Sequence, residues 1–195
     1  MTVQNSIHAD SLPYISRLRQ RELKTIDLVV IHCTELPELA EARKFGECIH
    51  YPESATGNSG HYYVERNGRV EQWVPCDRVA HHVRGYNQTS IGIELINNGR
   101  YPDWFDSRKQ QMTQQYPAAQ IHSLLELLQY LCAKIPNLRW IEGHESLDTS
   151  MIAASDNPDL LVKRKTDPGP LFPWQELLEA TDLVRPSSSL DIGSG

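Results

Sequence analysis

The stretch Asp27-Leu28-Val29-Val30-Ile31-His32-Cys33-Thr34 is apolar on both faces until it meets a histidine near its C-terminal end. Side chains alternate across a strand, so a run of this kind predicts a central strand covered on both sides. Other elements arrange themselves around it. His61-Tyr62-Tyr63-Val64-Glu65-Arg66 and Arg69-Val70-Glu71-Gln72-Trp73-Val74 flank Asn67-Gly68, a dipeptide suited to the positive φ angles of a two-residue hairpin turn. In Ser90-Ile91-Gly92-Ile93-Glu94-Leu95-Ile96, alternation puts Ile91, Ile93 and Leu95 on one face and Glu94 on the other. From Pro117, apolar Ile121, Leu124, Leu125, Leu128, Leu131, Cys132 and Ile135 recur at three-and-four spacing until Pro136, which predicts a long helix with one buried face. Trp140 to His144 reads as a short strand, and residues 145–164 as a polar loop. Lys165 to Pro170 is extended, because a residue before proline is pushed out of the helical region. A last helix starts at Pro173 and turns Trp174, Leu177 and Leu178 inward, and a short amphipathic opening runs from Asp10 to Glu22. The fold class expected is α/β (α+β), a central mixed β-sheet flanked by helices.

The chain has 195 residues, 39% of them hydrophobic and 23% charged, with a formal charge of −6. This excludes a collagenous, coiled-coil or wholly disordered chain and suits one domain, placed at residues 1–184 with a mobile tail over 185–195. The acidic balance argues against nucleic acid or an anionic membrane surface as partner, since both reward clustered Lys and Arg. Met1 to Asn5 carries no positive charge and no early apolar run exceeds strand length, so the expected compartment is the cytoplasm. Cys33, Cys48, Cys76 and Cys132 form no CxxC pair and read as reduced, mostly buried thiols.

The chemistry gathers at strand ends and around Asp167. Two imidazoles and a carboxylate from separate elements, with an open fourth position, make a catalytic zinc site that activates a water. His32, His144 and Asp167 meet that specification, but with eight histidines in the chain they are one candidate set among several, and no HExxH helix is present. Lys165, two residues before Asp167 in an extended segment, projects to the same side and suits an oxyanion-stabilising cation. Glu94, on an otherwise apolar strand, suits a general base. Each residue also has an ordinary role open to it. Asp167 before Pro168-Gly169 suits a turn, Lys165 belongs to a basic stretch with Lys163 and Arg164, and Glu94 suits a salt bridge to an arginine. Cys33 cannot assist His32, because adjacent strand residues face opposite ways.

Four segments, Val30-Ile31-His32-Cys33-Thr34, Ser90-Ile91-Gly92-Ile93-Glu94-Leu95, Gly143-His144-Glu145 and Arg164-Lys165-Thr166-Asp167-Pro168-Gly169-Pro170, together resemble the zinc-dependent N-acetylmuramoyl-L-alanine amidases. The resemblance runs from about Ile26 to Leu178 and is nearest the cytosolic amidases of cell-wall recycling. It implies an amidase/peptidoglycan-recognition-protein-like fold and one Zn²⁺ per chain held by His32, His144 and Asp167. It further implies Glu94 as catalytic carboxylate, Lys165 stabilising the tetrahedral intermediate, and a muropeptide substrate cut between N-acetylmuramic acid and L-alanine. His82, Arg84, Asn87 and His61 are the candidate substrate-binding residues, and the chain is expected to act as a monomer. Two departures stand out: Gly60 replaces the catalytic tyrosine that some relatives carry before the residue matched by His61, and residues 145–164 are longer than in the recycling enzymes. Rival readings are a non-catalytic binder of wall fragments and a lytic amidase acting on intact wall.

Overall fold

A computed structural model describes residues 7–187. Its centre is β2 (Leu28–Cys33), every residue of which is buried. Around it lie β1 (Ile7–Ala9), β3 (Tyr62–Val64), β4 (Val70–Gln72), β5 (Ser90–Leu95) and β6 (Trp140–Gly143). They form a six-stranded sheet in the order β1-β4-β3-β5-β2-β6. Only β3 and β4 are antiparallel; the other neighbouring pairs are parallel. The mixed sheet expected from the alternation and the hairpin is therefore the sheet observed.

One face carries Val29, Ile31, Ile91, Ile93 and Leu95 against α2 (Ala118–Lys134), which contributes Ile121, Leu124, Leu128 and Leu131. Pro117 caps α2, and Phe172 and Leu177, the latter on α4 (Trp174–Glu179), complete that layer. Period-2 alternation sends Leu28 and Val30 to the opposite face, where they pack with Val83. His32 follows them onto that second face, and Glu94 likewise stands opposite the Ile91, Ile93 and Leu95 stripe.

Several elements differ from expectation. In the hairpin, Gly68 alone takes a positive φ, of 88°, while Asn67 does not. Glu65 N–H bonds Arg69 O and Gly68 N–H bonds Glu65 O, so the loop is the three-residue kind that ends in a left-handed glycine rather than a two-residue turn. The Asn67 side-chain oxygen accepts from Arg69 N–H, an Asx turn that stabilises this form. The stretch from Asp10 to Glu22 holds no α-helix; Leu12, Tyr14 and Leu18 are buried, with a 3₁₀ turn at Ile15–Arg17. α1 (Leu39–Glu47) buries only Ala42 and Gly46 and left no apolar stripe to read. Residues 145–164 are not all irregular. After α3 (His144–Leu147), β7 (Met151–Ala153) and β8 (Leu161–Lys163) pair antiparallel. Ser155 N–H bonds Phe105 O, tying this segment to the loop after β5.

Cys33 and Cys76 are buried thiols bonded separately, Cys33 to Asn97 O and Cys76 with the Tyr62 hydroxyl, while Cys48 is exposed. Of the expected mobile tail, residues 188–195 lie outside the described residues, and Arg185 pairs with Glu142 and covers the Trp174 ring. Among the described residues no helix is long and apolar enough to cross a membrane.

Candidate metal centre

Strands β5, β2 and β6 lie side by side and parallel, so their C-terminal ends come out at one edge. The register pairs His32 with Glu94 and Ile31 with Gly143, which places His144, the next residue, beside His32. Glu94, His32 and His144 thus stand in a row across three strands. Asp167 is brought to the row because its own carbonyl accepts from Glu145 N–H in α3, at 2.9 Å. His32 Nδ1 lies 3.0 Å from His144 Nδ1 and 3.1 Å from Asp167 Oδ2, and His144 Nδ1 lies 3.2 Å from Asp167 Oδ2. All three side chains are buried. Glu94 Oε1 is 4.0 Å from His32 Nδ1.

Three observations test whether these residues suit a zinc ion. A His₂Asp donor set with room for a fourth ligand is that of a catalytic zinc site. The three atoms are spaced close to the edge of a tetrahedron of zinc–ligand radius about 2.0–2.1 Å, roughly 3.3 Å. Asp167 Oδ1 is buried without a hydrogen-bond donor, which is costly for a carboxylate unless a cation compensates. The residues fit the ion.

The electrostatics agree. Burial pushes His32 down to about 4, outweighing its bond to Asp167, so it is the neutral imidazole that a metal requires. Burial opposes ionisation of Asp167, but His144, Lys165 and His32 outweigh it and hold its carboxyl well below the usual range. Glu94 is pushed up to about 8 by burial and then by the charge of Asp167, with Lys165 pulling the other way. Lys165 is therefore near enough to act on all three groups, and it lines the same cleft.

The cleft above this row has a volume of about 840 Å³, with Phe45, Tyr51, Trp104, Arg84 and Arg164 among its walls. Of the four candidate substrate-binding residues, Arg84 is exposed in that wall. Asn87 also borders the cleft, but its side-chain oxygen accepts from the backbone N–H groups of His82 and Val83 and so shapes the loop. His61 does not reach the cleft. It is fully buried beside β5, accepting from Gly92 N–H at Nδ1 and lying 2.8 Å from Arg21 at Nε2. His61 precedes β3 and its backbone N–H bonds Gly92 O, so it lies beside the middle of β5, whereas Tyr63, two residues on, does line the cleft. His82 borders the cleft with both ring nitrogens engaged by protein partners, His32 and Ser90.

Sequence reasoning missed Arg100. The residue is 3% exposed, and its guanidinium grips both oxygens of Glu35, at 2.7 and 2.8 Å. The same group donates to Lys163 O and Arg164 O, the two carbonyls before Lys165. One buried cation thus links the loops after β2 and β5 to the segment that carries Lys165 and Asp167. No motif surrounds it, and apart from Gln110 the acceptors of its guanidinium lie 63 to 65 residues away, so no local pattern points to it. Arg164 is itself held by Asp148.

Gly60 acquires a reason. A Cβ there would come within 2.8 Å of Glu94 Cγ and 3.2 Å of Gly92 O, so the glycine leaves the space in which the Glu94 side chain stands. Gly60→Val is expected to lower kcat by about 10–100-fold through displacement of Glu94. Equal zinc content in variant and parent, measured by atomic absorption, separates this from loss of the metal site.

Residues 22–170 match the family described as N-acetylmuramoyl-L-alanine amidase. The chain is 33% identical over 136 residues to N-acetylmuramoyl-L-alanine amidase AmiD of Escherichia coli (strain K12), covering 62% of this chain and 44% of that protein. It is 32% identical over 120 residues to 1,6-anhydro-N-acetylmuramyl-L-alanine amidase AmpD of Enterobacter cloacae, covering 57% and 50%. The chain thus spans about half the length of these curated relatives. The structure of E. coli AmiD in complex with anhydro-N-acetylmuramic acid-L-Ala-D-gamma-Glu-L-Lys superposes with a TM-score of 0.63 at 26% identity, covering 85% of this chain and 61% of that one.

Proposed function

This chain belongs to the N-acetylmuramoyl-L-alanine amidase family, and we propose that it is a zinc-dependent hydrolase of muropeptides. It cleaves the amide bond between N-acetylmuramic acid, in its 1,6-anhydro form, and the L-alanine of the stem peptide, in the recycling of wall fragments. The observation that carries this reading is the convergence of His32, His144 and Asp167 beside Glu94 on the floor of one cleft. The anhydro sugar is supported by the substrate in the AmiD complex and by the name of the AmpD relative. Separately bonded thiols at Cys33 and Cys76 support a reducing, cytoplasmic workplace.

His32, His144 and Asp167 would hold zinc, which when bound supplies Lewis-acid polarisation and a more acidic water. The remaining chemistry belongs to the chain. Glu94 takes the proton of the attacking water and delivers it to the leaving amine of L-alanine. Its partly desolvated position suits both roles, because a carboxylate raised toward neutrality is a stronger base and then a usable acid. Lys165 stabilises the negative oxygen that develops on the lactyl carbonyl. Lys165→Ala is expected to lower kcat by about 10²–10³ with zinc retained, the loss usual for one oxyanion donor; turnover at the parent rate would remove it from this role.

The function is tested by incubating zinc-loaded and chelator-treated protein with an anhydro-muropeptide and with intact sacculi, and reading products by mass spectrometry. Release of free stem peptide from the anhydro-muropeptide, abolished by chelator, is the expected result. Release from sacculi alone would make it a lytic amidase, and binding without release would make it a recognition module.

A further inference from the structure

Two features of the Ser90-Ile91-Gly92 segment and one of the loop before it remain unused by the chemistry above. Ser90 Oγ–H donates to Tyr86 O at 2.8 Å, and the same oxygen lies 3.1 Å from His82 Nε2. A hydroxyl has one proton, so with that proton on Tyr86 O the oxygen accepts from His82 Nε2–H. His82, as a neutral imidazole, then has a bare Nδ1, and this atom lies 2.9 Å from His32 Nε2. His32 must carry its proton on Nε2 to make that bond, which leaves its Nδ1 bare and directed at His144 and Asp167.

The ring of His82 is held in place for this. It lies against the backbone of Gly92, where a Cβ would approach its Cγ and Nδ1 within 2.6 Å. It meets His32 edge-on at 5.1 Å between ring centres and His61 at 5.5 Å. Its own backbone N–H is fixed by the Asn87 side chain.

We propose that His82 is a positioning residue. Through the Tyr86 carbonyl, Ser90 and His82 relay, the fold sets the tautomer and ring orientation of His32 so that Nδ1 is presented as a ready metal ligand. Ser90 donates in one direction only, Gly92 makes room for the ring, and Asn87 holds the loop. His82 then serves the metal site from behind rather than the substrate in front.

The inference rests on the reading of His32, His144 and Asp167 as a zinc site, and its test separates the two. Long-range ¹H–¹⁵N spectra of the zinc-free protein at neutral pH should show His32 protonated at Nε2 and His82 protonated at Nε2. A proton on His32 Nδ1 would overturn the relay whether or not zinc binds. Zinc affinity is then measured by competition with a chelating dye. His82→Leu should weaken binding about 10–100-fold, the usual cost of losing the group that orients a ligating histidine. His82→Gln, whose amide can accept from His32 and donate to Ser90, should recover most of that loss. Binding at parental strength by His82→Leu, or an equal loss in His82→Gln, would overturn the proposal. If His82→Leu does not fold, Ser90→Ala decides: it should give mixed His32 tautomers, and an unchanged Nε2–H signal refutes the relay. Absence of zinc binding by the parent, with the tautomers as stated, would instead refute the metal-site reading.

Discussion

Glu94→Gln is expected to lower kcat by about 10²–10⁴-fold, the range for loss of a general acid–base group, with zinc content unchanged. The same substitution should make the metal-free protein more stable, which a simple loss of structure would not do. Glu94 titrates near 8 in the fold because burial, and then Asp167, disfavour its charge, against an ordinary value of 4.5. Between those values the folded state holds on Glu94 a proton that the unfolded chain has released, so the contribution of Glu94 to stability falls as pH rises from about 4.5 to 8. Glutamine never ionises and escapes this loss. Thermal melts of metal-free protein should therefore favour Glu94→Gln by on the order of 4 kcal/mol at pH 8 and by under about 1 kcal/mol at pH 5. Equal melting of variant and parent across that range would show that Glu94 is not held in a charge-averse place.

Asp167→Asn should abolish both zinc binding and turnover. An amide is a far weaker ligand than a carboxylate, and the two imidazoles left behind make an incomplete site. Asp167 also answers to pH in the sense opposite to Glu94. Its carboxyl is held well below the usual range, so the stability it contributes is complete above about pH 4 and is lost as pH falls through its lowered value. On the acid side metal-free protein should lose stability as Asp167 and the buried neutral imidazoles of His32, His61 and His82 are forced to take up protons, and Glu94 works in the opposite sense up to about pH 8. Zinc titrated by calorimetry into Asp167→Asn should give no heat of binding; a parental isotherm would move the carboxylate ligand elsewhere.

What could be read without coordinates was whatever depends on neighbours along the chain. The double-faced apolar run of β2, the isolation of Glu94 from Ile91, Ile93 and Leu95, and the long helix after Pro117 all follow from periodicity. The positions of His32, His144, Asp167, Glu94 and Lys165 were found from short motifs in order, although their spacing alone did not single them out. Segments with no period, such as α1 with its two small buried residues, and the hairpin of β7 and β8 inside a polar stretch, gave no comparable signal. The Asn67-Gly68 turn was legible as a turn but not as its type, because the Asx bond from Arg69 to Asn67 decides between forms of similar cost.

The sequence by itself determined a mixed sheet with a carboxylate and a histidine at neighbouring strand ends, since alternation within a strand is a local property of an extended backbone. Only the tertiary structure decided what each polar side chain is for. The parallel register that pairs His32 with Glu94 and seats His144 alongside joins residues 62 and 112 positions apart, and it is settled by side-chain packing between elements, α2 on one face and the loop of His82 on the other. That packing buries His61 beside β5, gives Asn87 to the loop, turns His82 toward His32, and draws Arg100 in to brace Lys165. A hydrogen bond needs its partner within about 3 Å, and which distant residue arrives there is set by how the layers close.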